Sequence, residues 1–406
     1  MLTIRYFLLI FMGMHIGAQA SLEGLRKKVV IFTSSGGGGH MSVVAAISEA
    51  LADAYDIHVA HGFKDVLASY DIIRHLTFNK VHGERLYNFI VRHNLYFLAN
   101  AIYMMAVPIV QLFTPLLVNT FHTYLKNQKA DMVISVVPII DGVLARAAKK
   151  ADIPCMVVPS DINSMTYTAG LENITDIPLV YTRSFDSQDI WQTIQPTGLD
   201  KHEVPVTGFP VRKAFLKRNF EKKAIKQEFR IPEGKPIIVL MMGAQGSAVS
   251  IEYVKALAQI DRPLHLIICL GKTADMWKPS IEKLKLPATM TITMLGFTDK
   301  IPELMAIADL FITKPGPNSI CEALYSNVPV ILDRTMTQLA WERFNHGWVK
   351  RHGFGDSCEN IKDLPKLIEP FLSNTAVRKQ VTANIKKLPK KEFGKELRAI
   401  VDSLDT

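Results

Sequence analysis

At 406 residues, with 48% hydrophobic and 21% charged residues, the chain is long enough for two domains with separate cores and too apolar for a disordered protein. Its net charge of +9 calls for an anionic partner, whether nucleic acid, an anionic membrane surface or a polyanionic nucleotide. No aromatic-interleaved basic motif and no Cys/His zinc spacing appears, which sets nucleic acid last and gives no reason to expect a metal. Cys155, Cys269, Cys321 and Cys358 are scattered and read as buried reduced thiols, with no disulfide framework following from them.

In chain order, Met1 to Ala20 has the outline of a secretory signal: one early cation, an apolar run, then Ala18-Gln-Ala20. A true signal, an uncleaved anchor and an over-extended start all fit. Lys27 onward, KKVVIFTSS reads as a buried strand and Gly36 to Gly39 as a turn, before an amphipathic helix opened by His40. Four successive glycines let backbone approach a ligand closely, and their entropic cost argues against a purely structural turn. The helix dipole disfavours an imidazolium at its N-terminus, leaving His40 a neutral ring able to take a proton. From His93 to Leu125 there is no Lys, Arg, Asp or Glu, yet Pro108 and Pro115 argue against one straight spanning helix. A core-only reading is open there. So is a lipid-docking one, given Tyr87, Phe89, Tyr96, Phe97 and Tyr103 beside Lys80, Arg85 and Arg92.

Buried strands are predicted within 131–141 and 153–165 around a helix from Gly142 to Lys150, and Asp161 closes the second at the edge where α/β folds bind ligands. A turn cap is the alternative role for Asp161. A further strand, Leu179 to Thr182, precedes a helix near Asp186 to Gln192. Gly208 and Pro210 make a rigid turn ahead of Arg212, either a diphosphate clamp or a linker charge. After a basic helical linker, Lys217 to Arg230, residues 236–250 repeat the opening pattern of strand, loop Gly243-Ala-Gln-Gly-Ser247 and helix. Strands follow at 264–272 and 291–297, then a helix from Ile301 to Ala308.

The segment from Leu310 to Leu332 is strand, loop, helix, strand. Pro315, Gly316 and Pro317 should bar a regular helix, leaving Asn318 or Ser319 as N-cap and Glu322 in the first turn. Such a helix end suits a phosphate, and a carboxylate beside it suits a sugar diol. An ordinary connection, with Glu322 merely complementing the dipole, fits equally. The stretch from Leu364 to Leu404 is helical and lysine-rich; Lys386, Lys387, Lys390 and Lys391 suit an anionic lipid surface or a solvated face.

Several separated motifs then carry a resemblance: SSGGGGH at 34–40, GERLYNFIVRHNLYFLAN at 83–100, SD at 160–161, VTGFPVR at 206–212, MMGAQG at 241–246, the run 295–324 and WERFN at 341–345. Over about Lys27 to Gly355 the chain resembles the GT-B glycosyltransferases of family 28, on the branch of monogalactosyldiacylglycerol synthases and processive diacylglycerol glucosyltransferases, with MurG-like enzymes more distant. The resemblance implies an α/β GT-B fold, two doubly wound Rossmann-like domains facing each other across a cleft. Residues 26–215 would form an acceptor and membrane-docking domain, 216–375 a UDP-sugar domain and 376–406 a basic helical segment, behind a signal-like or anchor segment at 1–22.

It further implies an inverting hexosyl transfer from a UDP-sugar to a membrane lipid, diacylglycerol favoured, with no cofactor and no metal-binding DxD motif. Gly243, Gln245, Gly246 and Ser247 with Gly316, Asn318 and Ser319 would surround the diphosphate, Phe297 would lie by the uracil, Glu322 on the ribose, and Arg212 would reach the phosphates. Trp341, Glu342 and Asn345 would face the donor sugar, although the relatives carry Gln where this chain has Trp341. In the acceptor half, His40 would be the general base, Asp161 its partner, and Gly37, Gly38 and Gly39 the glycine loop. The expected partners are a UDP-sugar, a lipid acceptor and an anionic membrane surface, with no nucleic acid. The expected location is membrane-associated on the cytoplasmic face of an inner membrane, export remaining open. A UDP-sugar epimerase or hydrolase on the same scaffold, and a non-catalytic UDP-sugar-binding membrane protein, are the competing readings.

Overall fold

The computed structural model describes residues 26–34, 38–70, 83–92, 95–172, 174 and 177–405. The signal-like segment, Gly37 and Lys80 lie outside them. Strands β1 (Lys28–Thr33), β2 (Asp56–His61), β3 (Met132–Ser135), β4 (Cys155–Val157) and β5 (Leu179–Tyr181) form a parallel sheet in the order β2-β1-β3-β4-β5. Strands β6 (Ile237–Met241), β7 (Leu264–Cys269), β8 (Met290–Leu295), β9 (Leu310–Thr313), β10 (Val330–Asp333) and β11 (Gly355–Cys358) form a second, ordered β11-β10-β9-β6-β7-β8. Both are doubly wound. The order of strands reverses between β1 and β3 in the first sheet and between β6 and β9 in the second, and ligand crevices open at such reversals, beyond the carboxyl ends of the strands.

Both sheets are apolar on each face because successive residues of a strand point to opposite sides and helices cover both. In β1, Val29 and Ile31 pack with Val43 and Ile47 of the helix Gly39–Leu51, while Val30 and Phe32 pack with Leu117, Phe121 and Leu125 of the helix Thr114–Gln128. The Phe32 and Phe121 rings meet edge to face with centroids 5.3 Å apart. In the second sheet Ile238, Leu240, Leu266 and Ile268 lie in one core cluster and Val239, Ile267 and Phe311 in the other. All four cysteines are buried and free, and burial pushes their thiols up, Cys269 to about 12 and Cys358 to about 11.

The lysine-rich tail is three helices, Leu364–Ser373, Thr375–Lys387 and Phe393–Leu404. The last crosses back to the first domain, where Phe393, Leu397 and Val401 complete the core of Val29, Ile31 and Val43. Lys390 faces neither lipid nor solvent alone: its Nζ donates to Leu324 O at 3.0 Å, Asn327 Oδ1 at 2.8 Å and Ile385 O at 3.0 Å.

The charge-free run is helical in two pieces, Tyr96–Leu112 and Thr114–Gln128, bent by 82° at Phe113, and the helix Gly83–Arg92 precedes them. No single helix among the described residues is long and apolar enough to cross a membrane. Phe97, Met104, Met105, Ile109, Leu112 and Phe113 all stand exposed along the bend.

Because Leu397 is fully buried on the first domain's sheet, Leu397→Ala is expected to lower stability by about 2–4 kcal/mol in chemical denaturation, the usual result of leaving a core cavity. Unchanged stability would mean that the crossing helix contributes nothing to that core.

Candidate functional site

The two crevices face each other and nearly touch. The loop after β6, the loop after β9 and the glycine turn after β1 converge so closely that a Cβ on Gly38 would come within 3.2 Å of Ala244 Cβ, and one on Gly39 within 2.6 Å of Asn318 Nδ2. A side chain at Gly38 would press on Ala244, and one at Gly39 would make the Asn318 carboxamide move. Gly243 (φ +87°) and Gly246 (φ +79°) lie in the left-handed region, and a side chain on Gly246 would collide with Leu270 O. Gln245 turns outward, its carbonyl accepting from Thr273 Oγ1 at 2.6 Å, and Ser247 Oγ accepts from Val249 N at 3.4 Å.

The helix after β9 begins earlier than the prolines suggested. It runs Pro317–Tyr325 with Gly316 as N-cap and no side-chain cap, so Asn318 and Ser319 are already helical. Proline at the first helical position costs nothing, since its missing N–H would have no partner there and its φ is already helical. Glu322 consequently falls in the second turn, buried, and its carboxyl is pushed up to about 7 by burial, partly offset by Arg212. The Arg212 guanidinium lies 5.3 Å from the Phe215 ring, and its Nε is buried without a hydrogen-bond partner among the described residues. A buried donor of this kind is costly unless an acceptor arrives.

Lys314 is the cation that the sequence reading passed over. A Cβ on Gly243 would sit 3.0 Å from its Cε and one on Gly316 3.5 Å away, so its side chain lies between the two loops. It also draws down the carboxyl of buried Glu342, which burial otherwise raises. Asn345 Nδ2 donates to Pro315 O at 2.8 Å, bracing the same loop, while its Oδ1 is buried without a partner. Phe297 is exposed at the rim beyond β8, with Lys272 Nζ 5.3 Å from its ring centroid. Trp341 turns away from this floor: its ring packs 5.4 Å from that of Tyr103, and its carbonyl accepts from Asn163 Nδ2 at 3.1 Å.

Across the cleft, His40 Nδ1 is 2.9 Å from Val136 O and 3.1 Å from Ser160 Oγ. A carbonyl only accepts, so Nδ1 carries the proton and Nε2 is the basic nitrogen. Ser160 is held in turn by Tyr167, whose hydroxyl lies 2.7 Å from Ser160 Oγ and donates to Val136 O at 3.1 Å. The expected partner Asp161 instead accepts from Thr166 Oγ1 at 3.2 Å, and burial with nearby Glu342 pushes its carboxyl up to about 7. It is the neighbouring Ser160 that touches the ring. Buried Asp141, the first residue of the helix Asp141–Ala151, is likewise raised by burial, offset in part by nearby Ser135. Nothing in its spacing marked it out. Among the described residues no group of three or more His, Cys, Asp or Glu could hold a metal ion.

Glu322 has its carboxyl raised on folding, so its contribution to stability is complete below its unfolded value and is lost as pH rises through about 7. Glu322→Gln in the ligand-free protein should therefore reduce the stability lost between about pH 5 and about pH 8 by roughly 1–3 kcal/mol, the size of a shift of one to two pKa units. Unfolding curves at the two pH values check this, and identical losses in variant and parent would refute the buried, neutral carboxyl.

The family described as glycosyl transferases group 1 matches residues 221–388. The chain is 26% identical over 360 residues to monogalactosyldiacylglycerol synthase 1 of Arabidopsis thaliana, covering 84% of this chain and 64% of that protein, so it spans somewhat under two thirds of that relative's length. It is 25% identical over 197 residues to the processive diacylglycerol beta-glucosyltransferase of Bacillus pumilus, covering 48% of this chain and 50% of that one. Among solved structures, Acinetobacter baumannii MurG superposes with a TM-score of 0.62 at 14% identity, covering 93% of this chain and 99% of that one. Its likeness shows the fold, two facing parallel sheets of the GT-B kind, and in sequence the chain is similar to monogalactosyldiacylglycerol synthases and diacylglycerol glucosyltransferases.

Proposed function

We propose that the protein transfers a hexose from a UDP-sugar to the hydroxyl of a membrane lipid, diacylglycerol, with inversion at the anomeric carbon. The observation that carries this reading is the meeting of the His40 turn with the loops after β6 and β9 at the two points where strand order reverses. The names of the relatives supply the acceptor class. The acceptor oxygen attacks C1 of the sugar as its proton passes to His40 Nε2, whose orientation is held through Nδ1 by Val136 O and Ser160 Oγ. The C1–O bond to the diphosphate breaks, and its electron pair leaves with UDP. Lys314, Arg212 and the unpaired N–H groups at the start of the helix Pro317–Tyr325 stabilise that charge. Asp161, buried and raised further by Glu342, and Glu342, drawn down by Lys314, line the space between acceptor and donor.

The exposed apolar bend, residues 95–113, suits an anionic bilayer surface. The helix Thr114–Gln128 that follows it carries Lys126 in its last turn and Lys129 at its C-cap, and Lys150 reaches its Asn119. Such a surface would bring the cleft to a lipid acceptor without a spanning helix, and gives a membrane-associated location.

UDP release with UDP-glucose, UDP-galactose or UDP-N-acetylglucosamine should depend on vesicles containing diacylglycerol, and His40→Ala should lower kcat by about 100- to 10,000-fold, the usual contribution of a general base. Donor consumption at the same rate without lipid would replace this reading by an epimerase or hydrolase, and UDP binding without turnover by a binding protein. Glu322→Ala and Lys314→Met should each weaken UDP binding by about tenfold or more, as charge-assisted contacts do, while vesicle association is unchanged. Unaltered UDP affinity in both would place the nucleotide elsewhere.

A further inference from the structure

The helix Tyr96–Leu112 has two working faces. One carries Phe97, Met104, Met105, Ile109 and Leu112, between 53% and 74% exposed. The other bears Ala99, Asn100, Ile102 and Tyr103, and it meets the second domain at the segment joining β10 to Glu342. Asn100 binds that segment through both ends of its carboxamide: Nδ2 donates to Gln338 O at 3.1 Å, and Oδ1 accepts from Ala340 N at 2.8 Å. An amide matched in both senses to a backbone donor and acceptor fixes the segment in position and register, as a neighbouring strand would.

The neighbouring side chains reinforce this grip. Leu339 is buried with Ile90 and Ala99, and Trp341 packs against the same cluster with Tyr87, Tyr96 and Ile102. The residue that follows is Glu342, whose carboxyl lies by Gly316 and Lys314 in the donor floor. Burial raises the Tyr96 hydroxyl to about 12 with a contribution from Glu342, so helix and donor floor are electrostatic neighbours as well.

We propose that Asn100 is a positioning residue that ties the donor-side segment 335–342 to the lipid-docking helix, so that membrane contact and UDP binding strengthen one another. This rests on the function proposed above. Seating the apolar face in a bilayer restrains the helix, the amide clamp passes that restraint to Gln338 and Ala340, and Glu342 is held where the nucleotide sugar needs it. Coupling between two binding events is reciprocal, so vesicles should tighten UDP binding by the factor by which UDP tightens vesicle binding. In this chain Trp341 serves as the anchor of that segment, its ring taken up by Tyr103.

The test is titration of the full chain with UDP, with and without vesicles of phosphatidylcholine and phosphatidylglycerol, beside sedimentation with the same vesicles. The parent should bind UDP about fivefold or more tightly on vesicles, at the lower end of ordinary coupling between sites. In Asn100→Ala that ratio should fall to about one, with sedimentation in the absence of UDP unchanged because the exposed face is intact. Asn100→Asp, which keeps the acceptor for Ala340 N and loses the donor to Gln338 O, should fall between. A merely structural role would weaken UDP binding equally with and without vesicles, and that result overturns the proposal. A parent ratio of one with both ligands bound overturns it too while leaving the proposed transferase standing. Failure of the parent to bind vesicles removes it together with the docking surface, and failure to bind UDP removes the transferase itself.

Discussion

The structure depends on one close approach, that of the glycine turn after β1 to the loops after β6 and β9. Two doubly wound sheets can be packed in many ways, but only with their strand-reversal points face to face do both crevices share one space. Here they are brought to contact distance, 3.2 Å at Gly38 and 2.6 Å at Gly39 for the side-chain atoms that glycine lacks. A run of glycines in such a turn is usually explained by the ligand it must admit. At these two positions the partner domain also crowds the space that a side chain would take. His40, as the next residue, is thereby carried to the edge of the loops after β6 and β9.

That contact also governs the electrostatics. The chain carries +9 overall, yet the carboxyls nearest the cleft, Asp161, Glu322 and Glu342, are all raised by burial. Taking a carboxylate out of water without full pairing disfavours its charged form. Lys314 and Arg212 offset Glu342 and Glu322 only in part. The cations therefore keep spare capacity, and Arg212 keeps an unsatisfied Nε. An anion arriving there would meet cations not fully committed to carboxylates.

What the sequence showed was local, and what it hid was long-range. The strand from Lys28 to Thr33 and the helix from Gly39 were legible because a buried run, a glycine turn and a helical period follow one another directly. The two-domain architecture followed from the repeat of that pattern at Ile237. The start of the helix at Pro317 was misjudged because proline breaks helices everywhere except their first turn. Lys314 looked like an ordinary residue between strand and loop, and only the folded approach of Gly243 and Gly316 shows its side chain lying between the two loops. The partners of His40 come from Val136 and Ser160, 96 and 120 residues away, and Asn100 meets Gln338 across 238. No periodicity or spacing reports such pairs, since each is created by the packing of whole domains.

The hinge explains why these long-range holds are modest. Tyr325, at the far end of the helix Pro317–Tyr325, accepts from Phe209 N at 3.1 Å and donates to Lys391 O at 2.9 Å, so one hydroxyl joins both crossings between the domains. Arg218 Nη1 bonds the Tyr325 carbonyl at 2.7 Å, and Lys390 caps the same helix end at Leu324 O. The pivot and the phosphate floor are then opposite ends of one helix, separated by about 13 Å at 1.5 Å per residue. A swing of about 10° about such a pivot moves the floor by only about 2 Å, which is less than the thickness of a nucleotide. The Arg351–Asp189 ion pair is half exposed at 55% and 31%, the kind that contributes about 0–1 kcal/mol. Holds of that size are weaker than the network centred on the buried Tyr325 hydroxyl, which joins the two crossings between the domains.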